Sequence, residues 1–152
     1  MKWFFGMLAI IQAVNSYAYT HLDVRLEKCT KDQIIIEQVI ANKSDESLFI
    51  YELAMPWSSG DFGVHYNIFY KQSGAYVKIR QDYFTQNSME IIDLKNKKIK
   101  KSIDISRFFG GIHETRVNKE LFVYWTYYLI NQDSSYKKKF DGFFIIPQNC
   151  DQ

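Results

Sequence analysis

Leu121-Phe122-Val123-Tyr124-Trp125-Thr126-Tyr127-Tyr128-Leu129 runs for nine residues without a glycine, a proline or a charge. Aromatic and β-branched side chains of this kind suit a pleated, half-buried surface. Strict alternation sends Leu121, Val123, Trp125, Tyr127 and Leu129 to one face and Phe122, Tyr124, Thr126 and Tyr128 to the other. Which set points inward is open at this level. Either choice leaves aromatic rings on the opposite face, to be covered by a neighbouring loop or by a partner.

Outward from this segment the same pattern recurs. Gly142-Phe143-Phe144-Ile145-Ile146 is a last strand, stopped by Pro147. Near the amino end Leu22, Val24 and Leu26 alternate with Asp23, Arg25 and Glu27, and the strands Ile34 to Ile40 and Leu48 to Leu53 are joined by the polar stretch Asn42 to Ser47. Met55-Pro56-Trp57 ends the latter, because proline cannot donate to a ladder. Val64 to Tyr70 and Ala75 to Ile79 flank Lys71-Gln72-Ser73-Gly74, the composition of a hairpin. Ile91 to Leu94 and Ile99 to Ile105 flank a lysine-rich connection, and Arg107 to Gly111 reads as a short helical turn ending at glycine. Strong helical periodicity is missing. Seven to nine short strands in about 134 residues predict an all-β domain, an immunoglobulin-like β-sandwich, with a small closed β-barrel as the alternative.

The ends bear on location. Met1-Lys2, the apolar run Trp3 to Ile11 and the small residues Ser16 and Ala18 match a cleavable secretory signal, so residues 1–18 are expected to be removed and 19–152 to form one domain. A spanning helix needs about 20 apolar residues, and Gln12 and Asn15 cut this run short, so no stable membrane anchor is expected. Export, whether to the periplasm or into the medium, places the two cysteines, Cys29 and Cys150, where disulfides persist, and an end-to-end bridge is the simplest pairing. The formal charge of +2 drops to +1 without Lys2, which gives no global pull toward nucleic acid. Asn42-Lys43-Ser44 fits the N-glycosylation pattern, which in a eukaryotic secretory pathway marks an exposed turn.

Catalytic signatures are incomplete. His113-Glu114 lacks the second histidine of a zinc-protease helix, since Val117 stands in its place. Ser58-Ser59-Gly60 does not supply a nucleophile elbow. The acid pairs Asp133 with Asp141 and Asp93 with Asp104 read as solvated carboxylates at strand ends, and His21 and His65 are isolated in sequence. Lys95 to Lys101 and Lys137 to Lys139 read as solvated lysines that discourage edge-to-edge pairing. No enzyme activity, cofactor or metal is expected from these residues.

The early strand, Asn42-Lys43-Ser44-Asp45, the strand ending at Met55-Pro56-Trp57, the segment Ile91 to Ser106 and the final aromatic strand together resemble small secreted immunoglobulin-like domains. Among these the chain looks like the non-catalytic β domain that precedes the protease in deuterolysin-type secreted metallopeptidases. The resemblance implies the sandwich and no activity, because the zinc-protease portion is absent. What remains is aromatic surface. Phe122, Tyr124 and Tyr128 on one side of the long strand, with Trp57 and Phe62 in the loop after Pro56, are the candidate partner-binding residues; the alternative for Trp57 is a plug closing one end of the sandwich. The expected function is binding of a protein: a secreted enzyme or toxin that it neutralises as an inhibitor or immunity protein, or an envelope component if the chain is a structural or adhesive accessory module.

Overall fold

The computed structural model describes residues 20–58, 61–82, 88–134, 137–148 and 150, so the expected signal segment lies outside the described residues. Among the described residues nine strands follow in chain order: β1 (Thr20–Cys29), β2 (Ile34–Asn42), β3 (Phe49–Tyr51), β4 (His65–Gln72), β5 (Ala75–Lys78), β6 (Ile91–Asp93), β7 (Lys98–Asp104), β8 (Leu121–Ile130) and β9 (Lys137–Ile146). All pairings are antiparallel. They make a three-stranded sheet β1-β2-β7, a two-stranded sheet β3-β6 and a four-stranded sheet β5-β4-β8-β9. The result is an all-β sandwich, and its sheets do not close into a barrel among the described residues.

β8 turns Leu121, Val123, Trp125, Tyr127 and Leu129 inward and leaves Phe122, Tyr124, Thr126 and Tyr128 outside. This orientation buries the three aliphatic side chains together with the larger indole, which removes more apolar surface from water than the reverse would. The neighbouring strand accommodates it. Gly142 of β9 lies opposite Trp125, and a Cβ built there would come within 2.6 Å of the indole ring. Gly142→Ala is therefore expected to cost about 1–3 kcal/mol through overpacking. Trp125→Phe in the same chain should recover part of that loss. Urea denaturation of the four members of the cycle measures the coupling, and additive effects would argue against the contact.

The core gathers side chains from both larger sheets, including Ile34, Ile36 and Ile40 of β2 and Tyr66 and Ile68 of β4. Gln38 Nε2 donates across it to Tyr66 Oη at 2.6 Å, and Tyr127 donates to the Ala54 carbonyl at 2.6 Å. Both phenols sit where burial pushes ionisation far above the usual tyrosine range, although the Gln38 bond partly offsets this at Tyr66. They act as neutral hydrogen-bonding struts.

β2 and β3 are not partners of one another. Instead β2 pairs with β7 while β3 pairs with β6, and the two interrupted arms run antiparallel throughout. Across the interruption the ladder is carried by Asn42 N–H to the Lys97 carbonyl, Asn96 N–H to Ser44 and Leu94 N–H to Leu48, all near 2.9–3.0 Å. The polar Asn42 to Ser47 stretch is thus a corner at which the chain changes sheets. Asn42 is buried, its Oδ1 accepting from Ser44 N–H at 3.0 Å, so the glycosylation pattern falls on an enclosed side chain.

The hairpin at Lys71–Gly74 forms as expected, joining β4 to β5 with Ser73 and Gly74 at φ 49° and 86°. Positive φ at both central positions matches the twist of the flanking strands, and glycine adopts it without steric cost. The helical turn differs from expectation. Ile105–Phe108 is a 3-10 turn capped by Asp104, and Gly111, at φ 76°, starts rather than ends the α-helix α1 (Ile112–Arg116). His113 and Glu114 belong to that single turn. No described helix is long and apolar enough to cross a membrane.

Cys29, at the end of β1, and Cys150 are joined with Cα atoms 5.1 Å apart, the expected end-to-end bridge. Lys138 Nζ of β9 donates to the Thr20 carbonyl at 2.7 Å, which ties the start of β1 to β9 along the same side of the sandwich.

Candidate protein-interaction face

The chemical candidates are dispersed. His21 lies on β1, His65 on β4 and His113 on α1, and no three His, Cys, Asp or Glu side chains gather among the described residues. Asp93 and Asp104 each do local work. Asp93 accepts from Lys95 N–H at 2.9 Å, Ser47 Oγ at 3.0 Å and Leu48 N–H at 3.1 Å. Burial opposes its ionisation, yet these bonds and nearby Lys97 hold the carboxyl below its ordinary range. Asp104 caps the 3-10 turn through Ser106 N–H and pairs with Arg107 at 3.7 Å. Asp133 lies in the turn after β8 and Asp141 midway along β9, so they sit at different levels of the sheet.

The outer faces of the two large sheets have opposite character. On the three-stranded sheet Arg25, Glu37 and Ser102 stand opposite one another, and Lys100 reaches across to Glu37. Glu37 is enclosed between Arg25 and Lys100, with Arg25 Nε donating to Oε1 at 2.8 Å. Ser102 bonds Glu27. That face is a satisfied polar lattice.

The four-stranded sheet presents rings instead. Register sets Phe69 of β4, Phe122 of β8 and Ile145 of β9 in one row, and Asn67, Tyr124 and Phe143 in the next. Residues directly opposite share a face. Phe122 stacks on Phe143 with centroids 6.3 Å apart and meets the edge of Tyr76 at 5.5 Å. Phe69, Tyr76, Phe122 and Phe143 together line a shallow apolar hollow. Phe143 is 59% exposed, Tyr76 62% and Tyr128 50%, values unusual for rings clustered on one face of a single chain. Tyr124 Oη donates to Asp141 at 3.0 Å, and Lys139 lies 3.4 Å from the same carboxylate. Tyr124 and Asp141 favour the protonated Lys139 ammonium.

Of the residues singled out in the sequence, Phe122, Tyr124 and Tyr128 lie together on this face. Trp57 does not join them: it is half-buried against the core, with the Lys101 ammonium of β7 5.5 Å from its ring centroid. Phe62 is exposed in the loop that leads into β4. That loop is drawn tight by Val64 N–H to the Pro56 carbonyl at 2.9 Å, and a Cβ at Gly63 would fall 1.9 Å from the Ser58 carbonyl oxygen. Phe69, Tyr76, Phe143 and Ile145 complete this face and are not evident as surface residues from the sequence. Alternation within each strand hints at them, but only the pairing register shows that they are neighbours.

Fold and surface together define an all-β sandwich with one polar and one aromatic outer face. Searches against protein families, curated proteins and solved structures find no match for this chain.

Proposed function

We propose that this chain is an exported, non-enzymatic binding protein that engages a protein partner through the outer face of the four-stranded sheet. Neutralisation of a secreted enzyme or toxin, as an inhibitor or immunity protein, is the concrete role. The observation that carries the reading is the exposed cluster of Phe122, Phe143 and Tyr76, flanked by Tyr124. Rings held rigidly by a sheet supply binding area at low entropic cost. The Cys29–Cys150 pairing supports export, because such bridges persist in oxidising compartments. The likeness to secreted immunoglobulin-like domains supports the same scaffold role.

An affinity pull-down from extracytoplasmic extract tests it. The full exported protein should retain a defined protein, and Phe143→Ser should reduce retention at least tenfold, roughly the effect of losing one interface anchor, with the unfolding temperature nearly unchanged. Undiminished capture by Phe143→Ser would count against this face, and no retained protein at all would count against a protein-binding role. A second reading, an accessory module of an envelope assembly, draws on β5, whose four residues are exposed at the edge of its sheet. Edge strands can accept an added strand. That reading expects the chain within a larger particle in gently solubilised envelopes.

A further inference from the structure

Next to the apolar hollow on the same face lies a second, polar groove, lined by His65, Tyr66, Asn67, Lys78, Arg80 and Gln81. Its cations are set apart by place, since Lys78 stands opposite Phe69 of the hollow in the β4–β5 register and Arg80 follows two residues on. Lys78 donates to the neutral Asn67 Oδ1 at 2.6 Å, and among the described residues neither Lys78 nor Arg80 has a carboxylate partner. Positive charge is therefore left open beside exposed apolar surface.

We propose that this face recognises an acidic segment of a partner protein, with an aliphatic or aromatic side chain in the Phe69–Tyr76–Phe122–Phe143 hollow and a carboxylate between Lys78 and Arg80. The inference rests on the protein-binding reading above and adds the chemistry of the partner. The separation of the two sites follows from β4. Phe69 lines one while Asn67 and His65 line the other, two and four residues away. Lys78 stands opposite Phe69 and its ammonium reaches Asn67, so at about 3.4 Å per residue the carboxylate belongs roughly 7 Å from the apolar anchor, the spacing of residues two apart in an extended segment. A second copy of this chain fits poorly, because its own Lys78 and Arg80 would have to approach the same positive face. Single-stranded nucleic acid, whose backbone is tracked by a positively charged groove, is also disfavoured, because the Asp141 carboxylate stands on this face beside Tyr124 and Lys139.

Panning a phage-displayed random dodecapeptide library on the full exported protein, with a fluorescent twelve-residue oligo(dT) titrated in parallel, tests this. Wild type should enrich peptides carrying Asp or Glu about two residues from Leu, Ile, Phe or Tyr. Lys78→Glu with Arg80→Glu should weaken those peptides at least tenfold and shift selection toward Lys or Arg. Phe143→Ser should weaken them similarly. Enriched peptides that need Phe143 but show no acid preference would overturn the acidic-partner inference and leave the protein-binding face standing. Peptides indifferent to Phe143→Ser, or no enrichment at all, would count against both. Oligo(dT) binding more tightly than any peptide, and abolished by the charge reversal, would replace the protein occupant with nucleic acid.

Discussion

Replacing Cys29 and Cys150 together by serine is expected to lower the unfolding free energy by about 2–5 kcal/mol, the usual range for a native bridge in a small exported domain. The two residues are 121 positions apart, so the bridge closes nearly the whole described chain into one loop. Denatured-state entropy removed by a loop of that length is on the order of 4–5 kcal/mol. A local contribution adds to it. Arg116 is buried on α1, with Nη1 donating to Cys29 Sγ at 3.4 Å and Nη2 to the Lys31 carbonyl at 2.9 Å, while its Nε finds no partner. Loosening Cys29 therefore also loosens the seat of a buried guanidinium. Urea denaturation of the serine pair beside the oxidised parent measures the loss, and the reduced parent should fall near the serine pair. Equal midpoints for all three would mean that the bridge contributes nothing to stability.

The second large effect concerns Glu37, whose side chain is 3% exposed while those of Arg25 and Lys100 are 64% and 55% exposed. The asymmetry predicts unequal costs for removing the two sides of the cluster. In Glu37→Gln the cations turn to water, and the loss should stay near 1 kcal/mol, the scale of an exposed pair. Arg25→Met with Lys100→Met keeps apolar stems over the acid but strands its charge. Leaving a buried charge uncompensated costs about 3–5 kcal/mol, so the double methionine variant should be clearly the less stable. Adding Glu37→Gln to that double variant should restore most of the loss. If Glu37→Gln alone is the more damaging change, the carboxylate is not the group that depends on its partners.

Local pattern carried a good part of this fold. Period-two alternation in Leu121 to Leu129 and in Leu22 to Leu26 is a property of the covalent strand, so strand identity and the membership of each face could be read directly. The Ser73–Gly74 turn was legible because its chemistry is local. The cysteine pairing needed only their number and an oxidising setting. The helix was less legible, because Gly111 suits either end of a helix and only its neighbours decide which.

The face that each strand turns inward, and the neighbours it meets there, belong to tertiary structure. Trp125 goes inside because Gly142, seventeen residues on, leaves room for the indole once the β8–β9 register is set. Phe122, Phe143 and Tyr76 become one surface only when β4, β5, β8 and β9 are laid side by side, and Lys78 and Arg80 gain meaning only beside it. Trp57 illustrates the converse, since composition made it a surface candidate and packing placed it against the core. Composition and alternation determine which residues share a strand face, because the peptide geometry that sets them is local. Which faces become core, ion-paired lattice or open aromatic surface is decided by register and sheet packing, because those contacts join residues far apart in the chain.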